Sequence, residues 1–364
     1  MTEDLRFMQL ALSLGRRELG RTWPNPSVGA VIVKDGAIVG RGWTQAGGRP
    51  HAEAEALRRA AAASRGGTLY ATLEPCSHHG KTPPCADAII AAGVSRVVSA
   101  MVDPNPEVAG KGHWRMAEAG IVVDVGLCSE EARRAHAGHI RRVRDGRPHV
   151  TLKLAVSADG KVALAGRQPI QITGEMARER VHLMRAMNDA IMVGIGTAIA
   201  DDPMLNCRLP GMADRSPVRV VFDRDLRLPV KGALATSARQ IPLWIVASTD
   251  APAEQESALN DLGAQVIRVP RAATGLDVRG TLKELAARGI TRLLVEGGPT
   301  IATSFVKSDL VDEAVLFRGP RMIGPSGIDA FEGLPLDALT RSPRLKRYDT
   351  QALGPDLVEY FERV

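Results

Sequence analysis

At 364 residues the chain exceeds what one hydrophobic core usually serves, so two domains are expected. Its composition, 45% hydrophobic and 24% charged, is that of a globular protein; no run of 18 apolar residues offers a membrane span, and four cysteines are too few for a disulfide scaffold. The net charge of +6 is scattered through helical stretches such as RRAHAGHIRRVRDGR, and aromatics at 4% are too sparse for base stacking, which argues against a nucleic-acid surface.

The N-terminus is acidic and then amphipathic, without the pattern of a signal peptide, and residues 3–20 are predicted helical. TWPNPSVG is a turn leading into AVIVKDGAIVGRG, two short strands around Lys34-Asp35-Gly36, which is a hairpin signal. HAEAEALRRAAAAS reads as a helix, GGTLYATLEP as a strand, CADAIIAAG as a helix ended by Gly93, and VSRVVSAMVDPNP as a strand and turn. WRMAEAG (helix), IVVDVG (strand) and a helical stretch through Arg142 complete a first α/β domain, placed at residues 1–146 by the punctuation Asp145-Gly146-Arg147-Pro148. The second domain, residues 147–364, restarts the alternation. HVTLKLAV, AIMVGIG, VRVVFDRD, LWIVAS and RLLVEGG are strands, and ARERVHLMRAMN, LKELAARG and TIATSFVKSDL are helices, a pattern of cofactor-binding α/β domains.

The chemistry concentrates in PCSHHGKTPPC, residues 75–85. Cys76 and Cys85 stand with eight residues between them, and His51-Ala52-Glu53 opens a helix 25 residues before Cys76. Zinc takes imidazole nitrogen and thiolate sulfur, and a catalytic zinc keeps three protein ligands and one place for water. His51, Cys76 and Cys85 supply the three, and Glu53 is placed to shuttle a proton. The pattern H-x-E followed by P-C and a second cysteine is that of zinc nucleobase deaminases, with the cysteine gap lengthened from two to eight. Cys76 is expected at the helix-entering end of the loop. The competing reading is a structural zinc with a fourth ligand from His78 or His79, in which Glu53 has no task. Cys128 and Cys207 read as ordinary small residues.

HAE, TLEPCSHHGKTPPC, PNPSVGAVIV and DPNPEVAGKG, followed in the second half by KLAVSADGK, ADDPMLNCR and LVEGGPT, resemble the bifunctional riboflavin-biosynthesis deaminase–reductase family over nearly the whole chain. The resemblance implies an N-terminal cytidine-deaminase-like three-layer α/β/α domain and a C-terminal dihydrofolate-reductase-like α/β domain. It implies zinc and NADPH as cofactors, deamination of a phosphoribosylaminopyrimidine, and reduction of its ribosyl group to ribityl. A cytoplasmic homo-oligomer, dimer or tetramer, acting on this small molecule without nucleic acid or membrane is expected. The readings that compete are a nucleic-acid base deaminase, which leaves the second half unexplained, and a zinc-stabilised regulatory module, which a missing Glu53 or ligand would favour.

Within the deaminase half, Asn25 between two prolines suits the reading of a pyrimidine edge, and His78, Lys81 and Thr82 lie on the loop between the cysteines. Lys81 is a phosphate candidate, with a solvated lysine as its alternative. Asp103 and Asn105 in DPNP match the family's substrate contacts, whereas Thr44 stands where a histidine is frequent. In the reductase half, the turn Gly297-Gly298-Pro299-Thr300 before a helix is a candidate anion site. The resemblance extends the cofactor surface over Gly298, Pro299, Thr300, Ile301, Ala302, Thr303 and Ser304, with Ala155, Gln171, Thr197 and Asp201. Arg224, beyond VRVVFD, is a candidate for an adenosine 2′-phosphate. Lys153, Pro169, Arg185, Leu205, Arg208 and Glu296 fall on the substrate side. Pro169 and Gln171 replace a serine and a tryptophan of the family pattern, which puts one substrate hydrogen bond and the cofactor stacking in doubt.

Overall fold

The computed structural model describes residues 2–364 apart from 81–82, 168–169 and 273–274 and the side chain of Arg167. It divides into two compact units, Met1–Arg147 and Pro148–Val364.

In the first unit, helix α1 (Glu3–Gly15) starts at Thr2, whose hydroxyl accepts the Leu5 N–H, and has two acids in its first turn. The helix predicted to residue 20 ends earlier, in a 3-10 turn over Arg16–Glu18 that runs toward the left-handed Gly20. Strands β1 (Gly29–Lys34) and β2 (Ala37–Trp43) form the expected hairpin, and Asp35 and Gly36 both take the positive φ that a two-residue turn of this hand requires. Helix α2 (Ala52–Ala60), strand β3 (Thr68–Ala71), helix α3 (Cys85–Ala91), strand β4 (Arg96–Ser99), helix α4 (Lys111–Glu118), strand β5 (Val122–Val125) and helices α5 (Ser129–Ala135) and α6 (Ala137–Asp145) follow. The sheet runs β2-β1-β3-β4-β5, antiparallel across β1 and parallel from β3 to β5.

Strand alternation divides the core into two faces. Ala30 and Ile32 pack with Ala52 and Ala56 of α2, Ile89 of α3 and Met116 of α4. Val31 and Val33 pack with Phe7, Met8 and Ala11 of α1 and Ala132 of α5. The unit is thus a three-layer α/β/α sandwich. Helix α2 lies unusually close to β2, because a Cβ at Gly42 would stand 2.0 Å from the Ala52 carbonyl oxygen and 2.6 Å from the Ala56 nitrogen. Gly42→Ala is therefore expected to lower unfolding stability by about 1–3 kcal/mol through overpacking. An unchanged urea midpoint would show that α2 does not depend on that approach.

The second unit holds strands β6 (His149–Val156), β7 (Lys161–Ala163), β8 (Ala190–Gly194), β9 (Val218–Phe222), β10 (Leu243–Ser248) and β11 (Gln265–Val269). Then come β12 (Arg271–Ala272), β13 (Gly275–Leu276), β14 (Arg292–Glu296), β15 (Glu313–Arg318), β16 (Ile328–Asp329), β17 (Leu345–Leu353) and β18 (Asp356–Arg363). Its helices are α7 (Glu175–Ala186), α8 (Ile195–Asp201), α9 (Ala233–Thr236), α10 (Ala253–Asp261), α11 (Val278–Ala287), α12 (Pro299–Lys307) and α13 (Asp337–Thr340). Nine strands form the main sheet, in the order β11-β10-β9-β8-β14-β6-β15-β18-β17. Neighbours are parallel from β11 to β15, and the β17–β18 hairpin closes the sheet antiparallel. The first strand, β6, is central, and β14 returns between it and β8. The carboxyl ends of β6, β14 and β8 thus stand side by side, where open parallel sheets form their crevices.

Candidate active sites

His51 is the N-cap residue of α2, and Glu53 lies in the helix's first turn, buried at 4% exposure. Helix α2, which carries both, is seated tightly on the two small residues of β2, Gly40 and Gly42. Cys76 follows β3 in the loop, and Cys85 is the first residue of α3, so Cys85, not Cys76, stands at the helix-entering end. The reason is local: Pro84 caps α3, while the Cys76 carbonyl accepts the Ala86 N–H and folds the loop back on itself.

The His51 Nδ1 atom is 3.6 Å from the Cys76 sulfur and 3.4 Å from the Cys85 sulfur. Ordinary zinc bond lengths at tetrahedral angles require an N-to-S separation of roughly 3.5 Å, so the three side chains fit the ion. All three ligand atoms lie within 4.8 Å of one another, and among the described residues no fourth ligand joins them. His78 and His79, the alternative fourth ligands, are both exposed and neither joins the cluster. Hydrogen bonds from Cys85 and His51, with the Cys85 backbone N–H at 3.3 Å, pull the Cys76 thiol down to about 4 and keep it as the thiolate that metals bind. Burial pushes the Glu53 carboxyl up to about 7, against the pull of His51.

Around this centre the other predicted residues take distinct places. Asn25 donates one amide N–H to the Gly48 carbonyl, 2.8 Å away and three residues before His51. Asp103 is buried; its Oδ1 accepts the Asn105 N–H at 2.8 Å and the His139 Nε2–H at 3.0 Å. Asn105 in turn accepts the Glu107 N–H. Thr44 is buried and accepts the Val28 N–H. Lys81 and Thr82 lie outside the described residues. Sequence reasoning passed over Glu74. Its buried carboxylate accepts N–H groups from Asp103, Gly110, Gly112 and His113, tying the DPNP turn and the start of α4 to the strand end that carries Cys76. The only signal for it was an acid where a strand should already be apolar.

In the second unit a cavity of about 410 Å³ opens at the carboxyl ends of β6, β8 and β14. Lys153, Ala155, Gln171, Thr197, Asp201, Glu296, Gly298 and Pro299 line it, as does Arg178, which the sequence reading missed. Arg185 stands behind Glu296 and pairs with it through two parallel bonds of 2.8 and 2.9 Å, with a third to the Asn206 carbonyl at 3.1 Å. Lys153 Nζ is 4.0 Å from the same carboxylate. Burial alone would push the Glu296 carboxyl up, but Arg185 and Lys153 outweigh it and hold it below the usual range. The Lys153 amine is lowered by burial, against the pull of Glu296. Gly297 bends the chain from β14 into α12, because a Cβ there would meet the Ile301 side chain at 1.8 Å.

A second cavity of about 440 Å³ shares Gly196 with the first and is lined by Thr300, Ile301, Ser304 and Arg224. Thr300 and Ser304 share its side of α12 because they are one turn apart. Ala302 and Thr303, expected at the cofactor, fall on the opposite, core-facing side, and Thr303 Oγ1 accepts the Glu332 N–H. Leu205 is likewise a core side chain with a left-handed backbone, which leaves only its main chain to meet a ligand. Arg224 reaches its cavity, but its guanidinium is taken by the neighbouring Asp225. Arg208 is exposed, with its N–H directed at His182. Pro169 lies outside the described residues.

Two family models match the chain. That of the cytidine and deoxycytidylate deaminase zinc-binding region covers residues 1–101, and that of the RibD C-terminal domain covers 148–359. The riboflavin biosynthesis protein RibD of Aquifex aeolicus is 40% identical over 360 residues, 99% of this chain and 98% of its own. Among solved structures, RibD of Acinetobacter baumannii (form 1) is 36% identical with a TM-score of 0.88, covering 100% of this chain and 99% of its own. A Thermotoga maritima protein described as a diaminohydroxyphosphoribosylaminopyrimidine deaminase/5-amino-6-(5-phosphoribosylamino)uracil reductase is 34% identical with a TM-score of 0.85, covering 100% and 99%. These likenesses bear out the expected pairing of a cytidine-deaminase-like N-terminal domain with a C-terminal α/β reductase domain of the RibD type.

Proposed function

As this chain belongs to the RibD family of bifunctional riboflavin-biosynthesis enzymes, zinc-dependent deaminases joined to NADP-dependent reductases, we propose how its own residues divide the two reactions. The first unit deaminates 2,5-diamino-6-(5-phosphoribosylamino)pyrimidin-4-one to 5-amino-6-(5-phosphoribosylamino)uracil, and the second reduces the ribosyl side chain to ribityl with NADPH. The observation that supports this most directly is the meeting of one imidazole and two sulfurs at zinc spacing beside a buried glutamate.

His51, Cys76 and Cys85 hold the zinc, which when bound makes a water acidic enough to attack near neutral pH. Glu53 would accept a proton from the attacking water as its oxygen adds to the ring carbon bearing the amine, and pass that proton to the adjacent ring nitrogen. It would then take the hydroxyl proton as the carbonyl forms and give it to the amine nitrogen, which leaves as ammonia. Burial of Glu53 keeps bulk water from competing for that proton. Asn25, Asp103, Asn105 and His78 are assigned to the substrate, as are Lys81 and Thr82 on the family resemblance alone, and Glu74 and His139 hold the Asp103 turn in place.

In the second unit the hydride is the cofactor's own chemistry, and the protein aligns the rings and supplies charge. We assign the nicotinamide end of NADPH to the cavity bordered by Ala155, Gln171, Thr197 and Asp201. Gly298 and Pro299, where the nine-residue helix α12 begins, and Thr300 and Ser304 in the neighbouring cavity would hold the rest of the cofactor. Lys153 and the Arg185–Glu296 pair, with Arg208 and the Leu205 main chain, face the phosphoribosyl group. No helix of the described residues is long and apolar enough to cross a membrane. All four cysteines are free, which supports a reducing cytoplasm. A homo-oligomer, dimer or tetramer, is part of the same reading, and light scattering of the purified chain measures it.

The direct test gives the purified chain the diaminopyrimidinone and reads ammonia first and NADPH absorbance second. Ammonia is expected without NADPH, and NADPH oxidation only once the deaminated compound is present. Indifference of NADPH oxidation to that compound would remove the reductase assignment.

A further inference from the structure

We infer that Arg219, a side chain sealed inside the second unit, is a positioning residue of the reductase. It holds from behind the bend at Leu205, whose main chain faces the phosphoribosyl group. This rests on the reductase reading above and deepens it.

Arg219 stands on β9 and is 0% exposed. It shares a strand face with Val221, which packs in one apolar cluster with Leu205, Ala238 and Leu243. Among the described residues no carboxylate pairs with it. Burial pulls the guanidinium down to about 10, so it is still a cation near neutral pH. A buried charge of this kind is costly, and a methionine or leucine would fill the space without that cost. What the guanidinium adds is a planar fork whose donors reach three separate segments. Nη1 donates to the Ser237 hydroxyl at the end of α9, 2.7 Å away, and to the Met204 carbonyl at 3.4 Å. Nη2 donates to the Ile241 carbonyl at 2.5 Å, just before β10.

The Met204 contact is the one that bears on the site. Residues 202–208 lie in neither helix nor strand, so their carbonyls depend on side chains for partners. Leu205 has a φ of 52°, in the left-handed region that a leucine enters only under constraint. An arginine holds the carbonyl on each side of it: Arg219 that of Met204, and Arg185 that of Asn206 at 3.1 Å. The Ser216 hydroxyl then accepts the Cys207 N–H at 3.1 Å. Arg185 is shared with Glu296 at the cavity, whereas the donors of Arg219 go to the scaffold alone. Arg219 therefore keeps the strained bend in place before a ligand arrives.

The test compares the full-length chain with Arg219→Met, which keeps the bulk without donors, and Arg219→Lys, which keeps the charge without the fork. Arg219→Met is expected to raise KM for 5-amino-6-(5-phosphoribosylamino)uracil about tenfold, the scale of one hydrogen bond from a charged group. KM for NADPH and kcat should stay within about twofold, because the hold is lost equally in the bound and transition states. Arg219→Lys should recover part of the loss, and ammonia release, in the other unit, should not change. Ser237→Ala removes another partner of Arg219 without touching Met204, so it should lower the unfolding midpoint and leave both KM values alone. A parent KM for the uracil compound in Arg219→Met, or equal rises in both KM values, would overturn the assignment and leave the reductase reading standing. Failure of both Arg219 variants to fold would overturn it too, since the residue would then serve stability alone. A parent chain that did not reduce the uracil compound would bring down the reductase reading and this inference with it.

Discussion

Glu53→Gln is expected to release ammonia about a thousandfold more slowly than the parent chain, within the range that a positioned acid–base group contributes. Glutamine has the same shape and would fill the same buried place in the first turn of α2, so the helix and its N-cap His51 should be undisturbed. What it lacks is the capacity to accept a proton from the attacking water and pass it to the ring nitrogen, and then to move the hydroxyl proton to the departing amine. Metal content should therefore remain one zinc per chain by atomic absorption, and NADPH oxidation with the deaminated compound should be unaffected. Turnover at the parent rate would remove Glu53 from the proton path. Loss of zinc would instead make its role structural.

Cys85→Ala tests the metal centre from the other side. One of the three donors disappears, and the remaining pair, His51 Nδ1 and the Cys76 sulfur 3.6 Å away, can no longer enclose an ion. Structural zinc sites have binding free energies on the order of 10 kcal/mol or more spread over their ligands, so removing a thiolate should weaken affinity more than a hundredfold. The expected result is a chain without stoichiometric zinc and without ammonia release. The reductase activity, built on a separate nine-stranded sheet, should persist. One zinc per chain before and after the change would exclude Cys85 as a ligand. The cost of the lost side chain to folding should be small, because the cavity is only one sulfur atom in size.

The three side chains that could hold a metal, His51, Cys76 and Cys85, were legible because donor chemistry depends on residue type and local order. A histidine one position before a helix, a glutamate two residues on, and cysteines at either end of a short loop satisfy zinc almost regardless of the rest of the chain. The strands of the first unit were legible for a similar reason: β1 and β3 are runs of apolar residues bounded by turns. The final hairpin was not. Strand β17, LKRYDTQAL, lies at the sheet edge with its side chains half-buried or exposed, and among the described residues β18 is its only strand partner. An edge strand needs no hydrophobic run, so it leaves little trace in the sequence.

Side-chain direction was the other thing hidden. A family pattern places Thr300 to Ser304 together at the cofactor, yet a helix turns about 100° per residue, so Ala302 and Thr303 meet the core while Thr300 and Ser304 meet the cavity. Arg224 and Arg227 look alike in VRVVFDRDLR. Only the fold decides that Asp225 neutralises the first and that two buried leucines turn the second outward. By itself the sequence determined which elements could form and which atoms could bind a metal, because those follow from local pattern and donor chemistry. Which charges are already paired, and which cavity each remaining one faces, only tertiary structure decided, because both depend on how the turn after β9 packs against residues far along the chain, Arg271 at Asp225 and Thr300 and Ser304 across the cavity.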